Sequence, residues 1–278
     1  MPSTVPTIRL NSGTDIPQLG FGVFLVDPSQ TQPIVEQALE VGYRHIDTAT
    51  GYNNEAQVGA AIRASGIPRE DVFVTTKLRN DHHLQGDVRG AYQRSLDALG
   101  LGYIDLYLIH WPLPKVDRYV ETWRAFEGFL AEGATKAIGV SNFKIEHLER
   151  LARESDTVPA LNQVENHPRT QQRELRAYEG AHGIAPEAWA PLGQGRFALD
   201  GFAAIREAAA AHAKSPAQVI LRWHIQEGIV AIPKASSRAH MEANFDIFDF
   251  ALTDSEMDAI RALDTGRNLA VDPDDINS

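Results

Sequence analysis

Cysteine is missing from all 278 residues, which excludes disulfides and thiolate metal sites and fits a reducing compartment. Basic residues are the minority. The 26 Lys and Arg against 37 Asp and Glu leave a formal charge of −11, and no basic cluster offsets it, so the chain as a whole repels nucleic acid and anionic membrane surface. No apolar run approaches the ~20 residues of a membrane span, and Met1 to Thr14 carry no basic flank ahead of an apolar stretch. No interdomain linker, low-complexity tract or short repeat divides the chain. We therefore expect one domain over residues 1–278, cytoplasmic and monomeric, with no nucleic-acid or membrane partner. The length suits a single α/β barrel, which runs to about 250 residues.

The chain does contain a regular alternation of short β-rich runs with helical periodicity, the rhythm of βαβ units. Residues 7–10 and 15–17, around Asn11-Ser12-Gly13, read as a hairpin ahead of the repeats. Candidate barrel strands follow at 19–23, 43–47, 72–77, 103–109, 136–140, 160–164, 184–189 and 229–232. Helical stripes fall between them, as at 30–41, stopped by Gly42, and at 86–99, ended by Gly100. Two helices, 201–212 and 216–226, share the connection between the seventh and eighth strands. The expected fold is a (β/α)8 TIM barrel with an N-terminal β-hairpin.

Active sites of such barrels lie where the strands finish, and polar residues collect there. Asp47 and then Tyr52 follow strand two, Lys77 ends strand three and His110 strand four. Ser141 and Asn142 end strand five, Gln163 and Glu165 strand six, Trp189 strand seven and Lys234 strand eight. A tyrosine, with its ordinary pKa near ~10, needs a neighbouring cation to become a willing acid. Lys77 would supply that cation, Asp47 would hold it charged and oriented, and His110 would position a substrate carbonyl by hydrogen bonding.

Other signals are weaker. Gly193-Gln194-Gly195-Arg196-Phe197-Ala198 matches a dinucleotide-binding string, but it follows the seventh strand and Gln218 stands where an acidic residue belongs, so a loop over a pyrophosphate is the better reading. His45 with Asp47, or His82 with His83, lacks the about three ligands of a catalytic metal, so no metal is expected, and His82 and His83 read as solvated loop residues. No Gly-x-Ser-x-Gly elbow is present. Trp111 is placed to wall a substrate pocket, whereas Trp123 and Trp223 read as packing. Asp272, Asp274 and Asp275 read as a solvated tail, and the 12 residues after Gly266 are too few for a deep lid, which implies an open mouth.

Six segments together carry a family resemblance: HIDTATGYNNE at 45–55, TTKL at 75–78, LIHWP at 108–112, IGVSNF at 138–143, NQVENHP at 162–168 and IPKA at 232–235. From about residue 6 to the C-terminus the chain resembles the aldo-keto reductase family. IPQLGFGVF, ALEVGYRHIDTA, PLGQGR and SPAQVILRWH are most similar to bacterial 2,5-diketo-D-gluconate reductases. The resemblance implies NADPH-dependent reduction of an aldehyde or ketone by a tetrad of Asp47, Tyr52, Lys77 and His110, with Tyr52 as general acid. It implies that Ser141, Asn142 and Gln163 contact the nicotinamide amide, that Trp189 stacks on the ring, and that the segment from Lys234 through Asn244 meets the adenosine end. Around these, Gly22, Val23, Phe24, Leu192, Gly193, Gln194, Gly195, Ile232, Pro233, Ala235, Ser236 and His240 complete the implied cofactor run, and Phe24, Tyr52, Arg79, His110 and Trp111 the implied substrate wall. The rival from another class is a nucleotide-binding sensor or scaffold on the same barrel, since fold does not fix function.

Four departures from the family pattern bear on specificity. Arg79 stands where an aromatic is common, and would either hold a substrate carboxylate or turn outward to solvent. Ala235 and His240 replace a common serine and arginine, and Ala243 a common glutamate, with Ser236, Ser237 and Arg238 nearby as substitutes. NADPH should still be preferred through Lys234, with NADH a measurable substrate.

Overall fold

The computed structural model describes residues 5–276; of the stretch read for a leader, residues 1–4 lie outside it. The hairpin forms from β1 (Thr7–Arg9) and β2 (Asp15–Pro17), with Ile8 opposite Ile16. The parallel strands are β3 (Phe21–Gly22), β4 (His45–Asp47), β5 (Phe73–Leu78), β6 (Ile104–Ile109), β7 (Thr135–Ser141), β8 (Leu161–Glu165), β9 (Ala185–Trp189) and β10 (Val230–Ala231), hydrogen-bonded in chain order. Leu19 pairs in parallel with Ala231, and Gly20 N donates to Ala231 O at 2.9 Å, joining the two ends of the sheet. All eight expected strands are therefore present. The first two and the last are shorter than expected, although flanking residues still reach a neighbouring strand: Val23 N donates to Asp47 O at 3.1 Å and Ile232 N to Ala188 O at 3.3 Å.

The connecting helices are α1 (Pro28–Val41), α2 (Glu55–Ala64), α3 (Asn80–Gln85), α4 (Val88–Leu99), α5 (Tyr119–Ala131), α6 (Ile145–Glu154), α7 (Arg173–Ala181), α8 (Ala203–His212), α9 (Pro216–Gln226), α10 (Arg238–Phe245) and α11 (Asp254–Arg261). Their ends follow local chemistry. Asp27 caps α1 by accepting from Ser29 N at 2.8 Å, with Pro28 in the first turn and Gly42 beyond its end at φ 127°. Ser215 and Gln218 form a reciprocal capping box on α9. The stretch expected as one helix from 86 to 99 starts instead at Val88, behind the separate α3, because Gly86 at φ 68° breaks the path. Where α2 crosses α4, a Cβ on Gly59 would lie 1.8 Å from Leu99 O, so only glycine permits that approach. Among the described residues no helix is long and apolar enough to cross a membrane.

Two apolar layers sandwich the strands. Outward residues such as Ile46, Val74, Tyr107 and Ile138 meet the helices, where Val35, Val58, Trp123 and Phe126 are buried. Inside, Leu10 and Ile16 of the hairpin pack on Phe73, Leu106, Leu108, Leu161, Ala185 and Val230 and plug one end of the barrel. Side chains alternate across a strand, so the inward set of β5 runs Phe73, Thr75, Lys77 and that of β8 runs Leu161, Gln163, Glu165. The interior thus passes from hydrocarbon at the hairpin end to charge at the other.

Candidate active site

The polar end gathers the strand-end residues. Lys77 Nζ donates to Asp47 Oδ1 at 2.6 Å and to Thr48 O at 2.9 Å, and neither side chain of the pair is more than 3% exposed. The turn Thr50–Tyr52, anchored by Thr50 Oγ1 donating to Lys77 O at 3.0 Å, lays Tyr52 across them. The Tyr52 ring centre lies 5.2 Å from Lys77 Nζ, 5.8 Å from the His110 ring and 5.0 Å from that of Phe24. All four members of the expected tetrad therefore share one half-buried floor.

Electrostatics assign each a state. Burial opposes a charged Lys77, but the Asp47 carboxylate, with Tyr52 and Glu187 adding to it, overcomes burial and holds the ammonium above its ordinary value. Burial pushes the Tyr52 phenol up. Lys77 works in the lowering direction, as expected, without winning, so the phenol keeps its proton at neutral pH. Burial, then Lys77 and His83, push His110 down to about 3, leaving a neutral imidazole suited to hydrogen bonding.

A second network lies beside the first. Gln163 Nε2 donates to Asp47 Oδ2 at 2.8 Å and to Glu187 Oε2 at 3.0 Å, so its amide nitrogen is committed and its oxygen is the atom left to meet a ligand. Asn142, at φ 63°, spans three groups: it donates to His110 O at 2.9 Å and Ser141 Oγ at 3.1 Å and accepts from Trp189 Nε1 at 2.9 Å. Tethered by its edge, Trp189 keeps a ring face available. A cleft of about 530 Å³ opens beside Trp111, Asn142 and Trp189 and runs between the starts of α6 and α7 and residues 264–273.

Arg79 takes the outward of the two orientations open to it: it is 52% exposed and pairs with Asp81 at 3.3 Å. Other expectations need correction. His82 and His83 are helical, and His83 is 1% exposed, pushed down to about 4 chiefly by burial. The acidic tail is docked: Lys144 bridges Asp272 at 2.5 Å and Asp274 at 2.6 Å. Glu165 accepts from Leu269 N at 2.6 Å and Ala270 N at 2.9 Å, which turns the short tail into one wall of the cleft. Glu146, His147 and Asp274 bring ligand-type atoms within 4.8 Å of one another. His147 and Asp274 serve that docking instead. His147 Nδ1 accepts from Lys144 N at 3.1 Å, which puts the ring proton on Nε2, where a metal would bind and Asp274 lies 3.1 Å away.

At the other end of the implied cofactor run, Lys234, Ser236 and His240 are exposed, while Ile232, Ala235 and Asn244 are buried. Ser237 Oγ accepts from His240 N at 3.4 Å as the cap of α10, and Arg238 pairs with Glu40 at 2.6 Å and Glu242 at 2.8 Å, so both of these nearby substitutes have partners of their own. Gly193, Gln194 and Gly195 form a tight turn. A Cβ on Gly193 would meet the Phe197 ring at 2.2 Å, so this glycine has a packing reason of its own. Leu192 is half-buried beside it, and Gly22 N donates to Pro233 O at 3.2 Å near the buried Val23. Glu187 escaped sequence reading. The available signal was a carboxylate in mid-strand, where a closed barrel favours apolar residues.

The Aldo/keto reductase family profile matches residues 18–265, and the chain belongs to that family, which makes it an NAD(P)H-dependent oxidoreductase. It is 46% identical to methylglyoxal reductase DkgA of Salmonella typhimurium, over 97% of this chain and 98% of that protein. A crystal structure of an aldo/keto reductase from Brucella melitensis superposes with a TM-score of 0.90 at 52% identity, covering 94% of this chain and 100% of the other. A variant of Gox0644 crystallised in complex with NADPH does so with a TM-score of 0.93 at 39% identity, over 99% of each chain.

Proposed function

We propose that this protein reduces a small aldehyde or ketone to the alcohol with NADPH, Tyr52 protonating the carbonyl oxygen. The observation that carries the reading is the buried Lys77–Asp47 pair beneath the Tyr52 ring. Bound NADPH supplies a hydride to the carbonyl carbon. Tyr52 gives its proton to the oxygen, and Lys77 steadies the phenolate left behind. Asp47 keeps Lys77 charged and aimed, and the neutral His110 ring hydrogen-bonds the substrate oxygen. Likeness to a methylglyoxal reductase supports a small, polar, oxygen-rich carbonyl, a class that includes the diketogluconates of the sequence resemblance.

The chain's residues fit NADPH. Gln163 offers an amide oxygen, Trp189 a ring face, and Lys234 an exposed cation with no carboxylate partner among the described residues. With Ser237 and Arg238 committed elsewhere, discrimination of the 2′-phosphate rests on Lys234, helped by Ser236 and His240. NADPH is then preferred by a modest factor, and NADH is used measurably. The test is NADPH oxidation over a panel of carbonyls, followed by kcat/KM for both cofactors in wild type and Lys234→Gly. No carbonyl-dependent oxidation would return the protein to the sensor reading; an enzyme that uses NADPH alone would remove the modest discrimination assigned to Lys234, Ser236 and His240.

A further inference from the structure

Glu187 takes no part in the reaction as proposed above, yet it lies wholly buried inside the barrel next to the groups that do. Among the described residues the polar groups facing it are His45 and Asp47 from β4, Thr75 and Lys77 from β5 and Gln163 from β8, with Tyr52 beyond them. Its Oε2 accepts from Gln163 Nε2 at 3.0 Å, and the same nitrogen reaches Asp47 Oδ2 at 2.8 Å. An amide has two N–H hydrogens, and here each has a carboxyl group to itself. Glu187 Oε1 has no hydrogen-bond partner and faces His45 Nε2 at 3.7 Å, while that nitrogen contacts Thr75 Oγ1 at 3.0 Å.

We propose that Glu187 is a positioning residue for the cofactor: with Asp47 it saturates the Gln163 amide nitrogen, so that the amide oxygen is presented to the nicotinamide carboxamide. The inference rests on the NADPH reading above. Glu187 also carries a movable charge beneath that contact. Burial, reinforced by the Asp47 carboxylate, pushes it up to about 8, and Lys77 and Gln163 only partly offset this. The single cation in the network is already engaged by Asp47 at 2.6 Å. His45, pushed down to about 3 chiefly by burial, supplies no second one. At neutral pH Glu187 is therefore a carboxylic acid, with its proton on Oε1, since Oε2 is accepting. Above pH about 8 it becomes a carboxylate, and a buried negative charge favours the oxidised nicotinamide, which is cationic, over the neutral reduced ring.

Dissociation constants for NADPH and NADP+, read by quenching of tryptophan fluorescence across pH 8, test this in wild type, Glu187→Gln and Glu187→Met. Wild type should shift its preference toward NADP+ as pH rises through about 8. Glu187→Gln keeps an acceptor for Gln163 but cannot ionise, and should match wild type at neutral pH and show no shift. Glu187→Met loses the acceptor and should bind both cofactors about fivefold more weakly at every pH, the effect of one hydrogen bond. An infrared carboxylic-acid band that fades through the same range in wild type and is missing from Glu187→Gln would support the assignment. A wild-type pH shift retained by Glu187→Gln, or undiminished affinity in Glu187→Met, overturns the inference. Wild-type protein that binds NADPH and shows these shifts without oxidising it against any carbonyl would instead overturn the proposed function.

Discussion

Lys77 Nζ lies 2.6 Å from Asp47 Oδ1, and both side chains are buried. Breaking such a pair from one side strands a buried charge, which costs about 3–5 kcal/mol, whereas removing both partners together is often close to neutral. Lys77→Met and Asp47→Asn should each lose stability on that scale in urea denaturation. The double variant Lys77→Met/Asp47→Asn should regain most of it while remaining inactive. Additive losses in the double variant would show that the two residues are not coupled.

Tyr52→Phe removes one hydroxyl and almost no volume. Carbonyl reduction should fall by the roughly 10²–10⁴-fold attributed to general acid catalysis, or further. Cofactor affinity, measured by fluorescence titration, should stay within about twofold, because the change removes no proposed cofactor contact. Wild-type turnover in this variant would eliminate Tyr52 as the acid.

Arg79 is engaged with Asp81 outside the cleft. An exposed ion pair contributes about 0–1 kcal/mol, so Arg79→Leu should leave both stability and the preference between a keto acid and its methyl ester nearly unchanged. A tenfold loss restricted to the keto acid would mean that Arg79 swings into the mouth when substrate binds.

Glu179 on α7 is another buried carboxyl group, accepting from Asn162 Nδ2 at 2.8 Å and pushed up from 4.5 to about 8 by burial. A pKa raised on folding contributes stability that is present below the ordinary value and lost as pH rises through the folded one. Wild-type stability should therefore decline between about pH 4.5 and 8, with Glu187 adding in the same direction. Glu179→Gln keeps an acceptor for Asn162 and should melt progressively higher than wild type across that window, by at most ~1.4 kcal/mol per pH unit. A gap in Tm that is the same at acid and alkaline pH would contradict the assignment.

Much of the site was legible because a barrel strand is a strong local constraint. A period of two, a known end for the chemistry and a polar residue where each strand stops were enough to place Asp47, Lys77 and His110 together, and the spacing from strand two placed Tyr52 near them. Caps such as Asp27 and Gly42 were legible for the same reason, since their hydrogen bonds and dihedrals concern immediate neighbours. What the sequence determined by itself was therefore the barrel, the end at which its polar residues gather and the identity of the groups proposed to react. Only the tertiary structure decided who pairs with whom across the chain. Arg79 meets Asp81, Arg238 meets Glu40, Lys144 meets the tail, and Gln163 on β8 joins Asp47 on β4 to Glu187 on β9. Most of these contacts link residues tens to more than a hundred positions apart; Arg79 and Asp81 are close in sequence, but whether the arginine turns to that carboxylate or into the mouth depends on how α3 packs. A side chain's charge is written in the sequence, whereas its burial and its partner are fixed only when distant segments close around it.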